Sequence, residues 1–148
     1  MPAQRASDRP STVTVTAPGR LHLGFLDPAG TLGRRFGSIG LVIEGYETEV
    51  RLSAAHADVL SADGAEAQAE LARAAQHVQR LREHTGLRTP LALHLARVLP
   101  AHAGFGSGTQ LALAVGRAFA ALHGLDLATP ALGHWLGRGL RSGIGIAG

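Results

Sequence analysis

The first third of the chain alternates hydrophobic and polar positions with the period of two that is typical of β-strands. Four strands are predicted from this alternation, at residues 11–17, 21–27, 38–44 and 46–54. The Pro18-Gly19 pair is expected to separate the first two strands, because proline and glycine usually interrupt a strand. Glu47, Glu49 and Arg51 share one face of the fourth strand, so we expect that face to contact water.

Farther along the chain, apolar residues recur at spacings of three and four, which indicates helices. The clearest helix is predicted at 65–85, and Gly86 is a typical C-terminal stop. A second helix with one apolar face is predicted at 107–123. Thr129 followed by Pro130 predicts the cap and first turn of a third helix.

The predicted elements follow the order β-β-β-β-α-β-α-α, with the fifth strand at 90–100. This order is typical of an α+β domain in which helices cover one side of a largely antiparallel sheet. The length of 148 residues suffices for one domain with a hydrophobic core. We expect residues 1–10 to form a flexible tail and residues 11–148 to form that domain.

Composition narrows the chemistry that this domain can perform. The chain has no cysteine, which excludes disulfides, thiolate nucleophiles and cysteine metal sites. All 14 basic residues are arginine, so a P-loop lysine and a Schiff-base lysine are excluded as well. The arginines are scattered and the formal net charge is +3, which does not favour nucleic-acid binding. Because no apolar run has the roughly 18 residues of a membrane span and the start lacks a secretory signal, we expect a cytoplasmic protein without membrane contact.

Residues 99–124, LPAHAGFGSGTQLALAVGRAFAALHG, place several glycines directly before a predicted helix. Glycine permits positive φ and close approach of a ligand, and a helix N-terminus offers unbonded N–H groups and a partial positive charge. Together they predict a site for phosphate or diphosphate. Ser107 and Thr109 would either cap the helix or give hydroxyls to a phosphate or its Mg²⁺. A tight turn that only reverses the chain is the alternative, because neither G-x-x-x-x-G-K-[ST] nor G-x-G-x-x-G is matched.

The same loop resembles the phosphate-binding motif of the GHMP kinase superfamily, P-x₃-G-[LF]-G-S-[SG]-[ST]. Seven positions match: Pro100, Gly104, Phe105, Gly106, Ser107, Gly108 and Thr109. The segment APGRLHLGFLD, residues 17–27, resembles the first motif of that superfamily. The resemblance implies a GHMP-type N-terminal domain, similar to the second domain of ribosomal protein S5, with helices packed on a mixed sheet. It also implies a ferredoxin-like C-terminal domain, which we expect this chain to lack, and a substrate cleft between the two.

Four segments resemble in particular the β-ribofuranosylaminobenzene 5′-phosphate synthase family: GRLHLGFLD, GRRFGSIGLVIE, GFGSGTQLAL and GRGLRSGIGIAG. The implied reaction joins phosphoribosyl pyrophosphate to 4-aminobenzoate or 4-hydroxybenzoate, with loss of CO₂ and pyrophosphate, in methanopterin biosynthesis. Kinases of the superfamily carry S-G-x-D, whereas this chain has glycine at position 145 and so lacks their usual base at that position. An ATP-dependent small-molecule kinase is one alternative. A non-catalytic phosphate-binding fragment is the other, and a homodimer or a complementing second fragment would favour it.

The resemblance implies roles for individual residues. The phosphate cradle would be formed by Gly104, Gly106, Ser107, Gly108 and Thr109. Arg20 would contact a substrate phosphate or carboxylate, for which a planar guanidinium is suited. A sheet-edge arginine without a ligand is the structural alternative.

Four further residues complete the predicted site. Arg34 and Arg35 would clamp the 5′-phosphate or the aryl carboxylate, with a solvated loop as the alternative. His22 would hydrogen-bond the substrate, although a lone strand histidine is usually structural. Asp27, together with Ser107, would hold Mg²⁺ of the diphosphate, or Asp27 would simply begin a turn with the proline that follows.

Overall fold

A computed structural model of the chain describes residues 10–25, 38–101 and 106–137, with the backbone alone at 21–25 and 38–40. Seven elements follow one another in these ranges: β1 Thr12–Phe25, β2 Ser38–Ala54, β3 Val59–Ala62, α1 Gly64–Thr85, β4 Leu91–Arg97, α2 Ser107–His123 and α3 Thr129–Trp135. None of the described helices has the length and apolar character needed to cross a membrane.

The four strands form one mixed sheet in the order β1-β2-β4-β3. β2 pairs antiparallel with both β1 and β4, and β3 pairs parallel with β4. The parallel pair requires a crossover connection, and α1 provides it. Alternate residues of β2 and β4 are buried beneath the helices: Val50, Leu52, Leu91, Leu93 and Leu95. The predicted α+β architecture, with helices on one side of a largely antiparallel sheet, is therefore confirmed.

The predicted break at Pro18-Gly19 is wrong, because β1 continues through both residues as one strand. β1 lies at the edge of the sheet, where a proline removes no hydrogen bond that the sheet needs. Pro18 pairs with Glu47, but Gly19 pairs with Ile43, so β2 bulges between these positions. Gly45 lies in this bulge with a φ of +83°, a conformation that favours glycine. The predicted strands 38–44 and 46–54 are thus one bulged strand.

Sequence reasoning missed β3 entirely. Its four residues, Val59–Ala62, show no burial alternation, because the first three are exposed and the fourth is half-buried. The strand is specified instead by parallel pairing with β4, in which Val59 lies opposite Ala92 and Ala62 opposite Leu95. Such pairing is non-local and leaves no pattern within so short a segment.

The expectation of a wet face on β2 is correct for Arg51 and wrong for Glu49. Arg51 is exposed, whereas Glu49 is buried with 8% of its surface accessible. The Glu49 carboxylate contacts the guanidinium of Arg97 on β4 at 2.5 Å and that of Arg51 at 2.9 Å. The two arginines hold the pKa of Glu49 below its usual value, with the Arg97 hydrogen bond as the largest cause. Charge pairing across the strands therefore covers a carboxylate that the sequence pattern would leave in water.

The first helix forms as predicted. Its apolar positions pack into the core, with Leu71, Ala74, Val78 and Leu81 buried. Gly86 follows the helix in the left-handed conformation, with φ +75°, and its N–H donates to the carbonyl of Arg82. The periodicity and the stop signal were sufficient because both are local.

The second helix differs from the expectation of one apolar face, because it is buried on nearly every side. It packs against β1 and β2 below and against α1 and α3 at its flanks. Gln110 is buried together with ten other residues of the helix. A central helix of this kind needs small side chains where its neighbours approach closely. A Cβ added to Gly116 would lie only 3.3 Å from the side chains of Leu132 and Leu136.

The third helix begins at Thr129, so the prediction that Thr129 caps it is wrong. The cap position is occupied by Ala128, and Pro130 lies in the first turn as predicted. The Thr129 hydroxyl instead accepts a hydrogen bond from Arg117, whose guanidinium also donates to the carbonyl of Leu127. Thr129 thereby ties the start of α3 to α2.

Candidate functional site

The site is built on the start of α2. Gly106 precedes the helix with φ +71° and ψ 31°, a left-handed conformation that a glycine adopts without strain. The first helical hydrogen bond runs from the Gln110 N–H to the Gly106 carbonyl, at 3.0 Å. The N–H groups of Ser107, Gly108 and Thr109 precede this bond and are the groups that a helix N-terminus offers to an anion.

Ser107 occupies the first helical position, so the reading of Ser107 as the N-cap is wrong. The cap position belongs to Gly106, which has no side chain to accept from the helix. Ser107 and Thr109 are both half-buried in the first turn, and no side chain of the described residues caps the start of the helix. The first turn carries no carboxylate that would satisfy the helix end internally.

Arg20 of β1 lies beside this helix start. A Cβ added to Gly106 would be 4.0 Å from the Arg20 carbonyl oxygen, so the two backbones are in contact distance. Arg20 is buried, with 7% of its surface accessible, and burial lowers the pKa of its guanidinium. An arginine nevertheless keeps its proton at neutral pH. A buried guanidinium and the positive end of a helix are each groups that favour a bound anion.

An open cavity of about 150 Å³ continues from Arg20 between β1 and α2. Ten residues line it: Val15, Thr16, Ala17, Pro18, Arg20, Gln110, Leu113, Ala114, Arg117 and Thr129. Sequence reasoning gave no role to Gln110, although a polar residue within the apolar stretch of α2 was a usable signal. Gln110 is 2% exposed, and it follows the phosphate loop directly in the chain.

The remaining predicted site residues are not brought together by the described part of the chain. Gly104, Asp27, Arg34 and Arg35 lie outside the described residues. The backbone of His22 pairs with Gly40 between β1 and β2, but its side chain also lies outside them. Arg20 and the helix start are therefore the two parts of the predicted site that the fold juxtaposes.

The described part of the site does not by itself hold the carboxylates that Mg²⁺ usually needs. Magnesium is usually bound by one or two carboxylates plus substrate phosphates. Among the side chains described at 10–20, 41–101 and 106–137 there is no cluster of three or more histidine, cysteine, aspartate or glutamate residues that could hold a metal ion. The described part of the site supplies the Ser107 hydroxyl, and the predicted carboxylate, Asp27, lies outside it.

Two named relatives are similar in sequence to this chain over most of its length. It is 36% identical over 131 residues to the β-ribofuranosylphenol 5′-phosphate synthase of Archaeoglobus fulgidus, covering 88% of this chain and 40% of the relative. The synthase of the same designation from Methanothermobacter thermautotrophicus is 34% identical over 137 residues, covering 90% of this chain and 42% of the relative. The chain thus spans about two fifths of the length of these relatives.

Solved structures show the same fold. Homoserine kinase from Cytophaga hutchinsonii superposes with a TM-score of 0.64 at 19% identity, over 86% of this chain and 40% of that protein. Mevalonate kinase from Methanococcus jannaschii gives a TM-score of 0.63 at 14% identity, over 86% and 45%. At these identities the likeness establishes the fold and not the reaction.

The sequence profile described as "GHMP kinases N terminal domain" matches residues 70–147, slightly more than half of the chain. This match includes β4, the glycine loop and α2, the elements that form the helix start beside Arg20. The phosphate-loop motif, the mixed sheet covered by helices on one side, and this profile agree, and the chain belongs to the GHMP kinase N-terminal domain family.

Proposed function

We propose that this chain is the phosphoribosyl-binding part of an aryl-riboside 5′-phosphate synthase. The observation that carries the proposal is that the start of α2 lies against the backbone of Arg20, a residue that is itself buried. Similarity to two β-ribofuranosylphenol 5′-phosphate synthases at 34–36% identity supports this choice within the superfamily. Because the chain spans about two fifths of those relatives, the complete activity needs residues beyond this match.

The proposed reaction transfers the phosphoribosyl group from phosphoribosyl pyrophosphate to the ring of 4-hydroxybenzoate or 4-aminobenzoate. The bond from the anomeric carbon to the pyrophosphate oxygen breaks, and a bond from that carbon to the aromatic carbon forms. The carboxylate on that aromatic carbon leaves as CO₂, and its bonding electrons restore the ring. No hydroxyl needs to be deprotonated, which agrees with glycine at position 145, where kinases of the superfamily have aspartate.

The residues of the helix start act on the leaving diphosphate. The N–H groups of Ser107, Gly108 and Thr109 donate to its oxygens, and Arg20 adds a fixed positive charge. These donors stabilise the charge that develops as the carbon–oxygen bond breaks, and a preorganised group of this kind typically contributes about 10²–10³ in rate. When bound, Mg²⁺ would add charge neutralisation at the same diphosphate, held by Ser107 and Asp27.

The first experiment measures release of CO₂ from carboxyl-labelled 4-hydroxybenzoate or 4-aminobenzoate, with Mg²⁺ and phosphoribosyl pyrophosphate. It uses the chain alone and the chain joined to the part of the Archaeoglobus relative that it does not cover. We expect release that depends on phosphoribosyl pyrophosphate and falls in Ser107→Ala, which keeps the backbone N–H but removes the hydroxyl proposed to hold Mg²⁺. Alanine is an excellent helix former at this position, so the helix itself is preserved.

A matched control is Ser53→Ala, a half-buried serine of β2 away from the helix start. It should leave CO₂ release unchanged. If ATP is instead consumed against a panel of sugars and alcohols while no CO₂ appears, the chain belongs to a small-molecule kinase. If pyrophosphate does not bind and neither reaction occurs, the phosphate-site proposal itself is refuted.

A further inference from the structure

A serine, a histidine and an aspartate meet on the face of the sheet opposite the helices. The Ser61 hydroxyl of β3 lies 2.8 Å from Nδ1 of His94 on β4. The other ring nitrogen, Nε2, lies 3.0 Å from the carboxylate of Asp63. Parallel pairing of Ser61 with His94 places the two side chains beside each other on the same face.

The two hydrogen bonds fix the tautomer of His94. A carboxylate only accepts hydrogen bonds, so Nε2 of the neutral ring must carry the hydrogen that points to Asp63. Nδ1 is then an acceptor, and the hydrogen bond to it is donated by the Ser61 hydroxyl. This is the arrangement of a nucleophile, a general base and an orienting carboxylate.

The Asp63 carboxylate contacts His94 instead of capping the start of α1. It occupies the N-cap position of α1, where an aspartate normally accepts from the N–H groups of the first turn. Here its carboxylate makes no capping bond to the described first turn of α1. Its own N–H donates to the Leu95 carbonyl at 3.0 Å, which anchors the backbone next to β4. The fold thus directs the carboxylate to the histidine and leaves the helix start without that cap.

We propose that Ser61, His94 and Asp63 form an acyl-transfer site that takes small activated carboxylic esters. The Ser61 oxygen attacks the acyl carbon, a new oxygen–carbon bond forms, and the ester bond to the leaving alcohol or phenol breaks. The serine proton passes to Nδ1 of His94 and from there to the leaving oxygen. Water then attacks the acyl-serine in the same way and releases the carboxylic acid, so only ester and water are consumed.

The surroundings determine which substrates fit. Ser61 is exposed, the Asp63 side chain is 69% exposed and that of His94 is 28% exposed, so small molecules can reach the cluster from solvent. Arg51 lies opposite His94 on the neighbouring strand β2, and its guanidinium donates a hydrogen bond to the Glu49 carboxylate. The site lies on an open face of the sheet and therefore suits small acyl groups such as acetyl, which need no deep pocket.

The test uses the full chain with p-nitrophenyl acetate and follows p-nitrophenolate release together with mass spectrometry of the peptide that contains Ser61. We expect one acetyl group on Ser61 and none in Ser61→Ala. His94→Gln should lower the rate of acetylation at least about tenfold, because the general base is lost. Asp63 is a positioning residue, so Asp63→Asn should lower the rate and Asp63→Glu should restore most of it, which a purely structural role would not require.

Matched controls are His134→Gln and Ser53→Ala, which change the same residue types outside the cluster. Neither should alter Ser61 acetylation, and thermal melts of all variants check that the fold is kept. The proposal is overturned if acetyl groups appear on histidines or the N-terminus but not on Ser61. It is equally overturned if His94→Gln and His134→Gln acetylate Ser61 at the same rate.

Discussion

Replacing Gly106 with alanine tests whether the left-handed backbone before α2 shapes the anion site. Gly106 has φ +71°, and among the atoms of the described residues an added Cβ would come closest to the Arg20 carbonyl oxygen, at 4.0 Å. That distance is ordinary contact, so the penalty is conformational and not steric. Holding an alanine in the left-handed region costs about 1–2 kcal/mol.

This strain must appear either in folding or in binding. If alanine keeps the left-handed conformation, the free energy of unfolding falls by about 1–2 kcal/mol, and Tm falls by about 3–8 °C in a chain of this size. If the loop relaxes, the N–H groups must be realigned on binding, and the affinity for pyrophosphate falls by up to about 5–30-fold. Urea unfolding and calorimetric titration with pyrophosphate measure the two losses, whose sum should equal the strain.

Gly45→Ala is the matched control. Gly45 has φ +83°, and no atom of the described residues lies within 4 Å of an added Cβ, so the backbone strain is similar. It lies in the β2 bulge and should lose stability without losing affinity for pyrophosphate. Equal affinities in the two variants, with a combined loss for Gly106→Ala below about 0.3 kcal/mol, would show that Gly106 does not set the geometry of the site.

Three further predictions concern stability. Asp58 receives hydrogen bonds from Arg82 at 2.8 and 2.9 Å and from the Leu91 N–H at 2.8 Å, and the Arg82 bond chiefly lowers its pKa to about 2. Because the folded pKa is depressed, its contribution is present in full above about pH 4 and is lost as pH falls through about 2, so Asp58→Asn should cost about 0.5–1 kcal/mol in urea unfolding at pH 7 and clearly less at pH 2; an equal loss at both pH values would contradict this. Gly116→Ala should destabilise by about 1 kcal/mol in a thermal melt, although alanine favours helices, because its Cβ would press at 3.3 Å on Leu132 of α3 and on Leu136 directly after it; a raised Tm would show that these two leucines yield freely. Phe119→Ala should cost about 3–5 kcal/mol in urea unfolding, because the ring is 1% exposed at the centre of α2; a loss under about 1 kcal/mol would mean that the core collapses onto the space.

The sequence predicted one part of the candidate site, the glycine loop of the phosphate motif and the helix that follows it. The glycines and the helix that follows were visible locally, and the start of α2 at Ser107 agrees with them. The sequence did not predict that Arg20 lies against Gly106. The two residues are far apart in the chain, and only the packing of α2 against β1 brings them together. The roles of Asp27, Arg34 and Arg35 stay predictions.

The sequence by itself determined the elements whose signals are local. The period of α1, its stop at Gly86 and the extent of α2 follow from hydrogen bonds and side-chain spacing within a few residues. The sequence also determined the all-arginine basic character, which ruled out lysine chemistry before any fold was known.

Tertiary structure decided the features that depend on distant neighbours. β1 runs through Pro18 because an edge strand tolerates a missing donor, and the β2 bulge at Gly45 absorbs the resulting change of register. β3 exists because β4 offers it a parallel partner, and that same pairing brings Ser61 to His94. Strand pairing is a contact between segments far apart in the chain, so no local pattern encodes it, and it alone places these polar groups together.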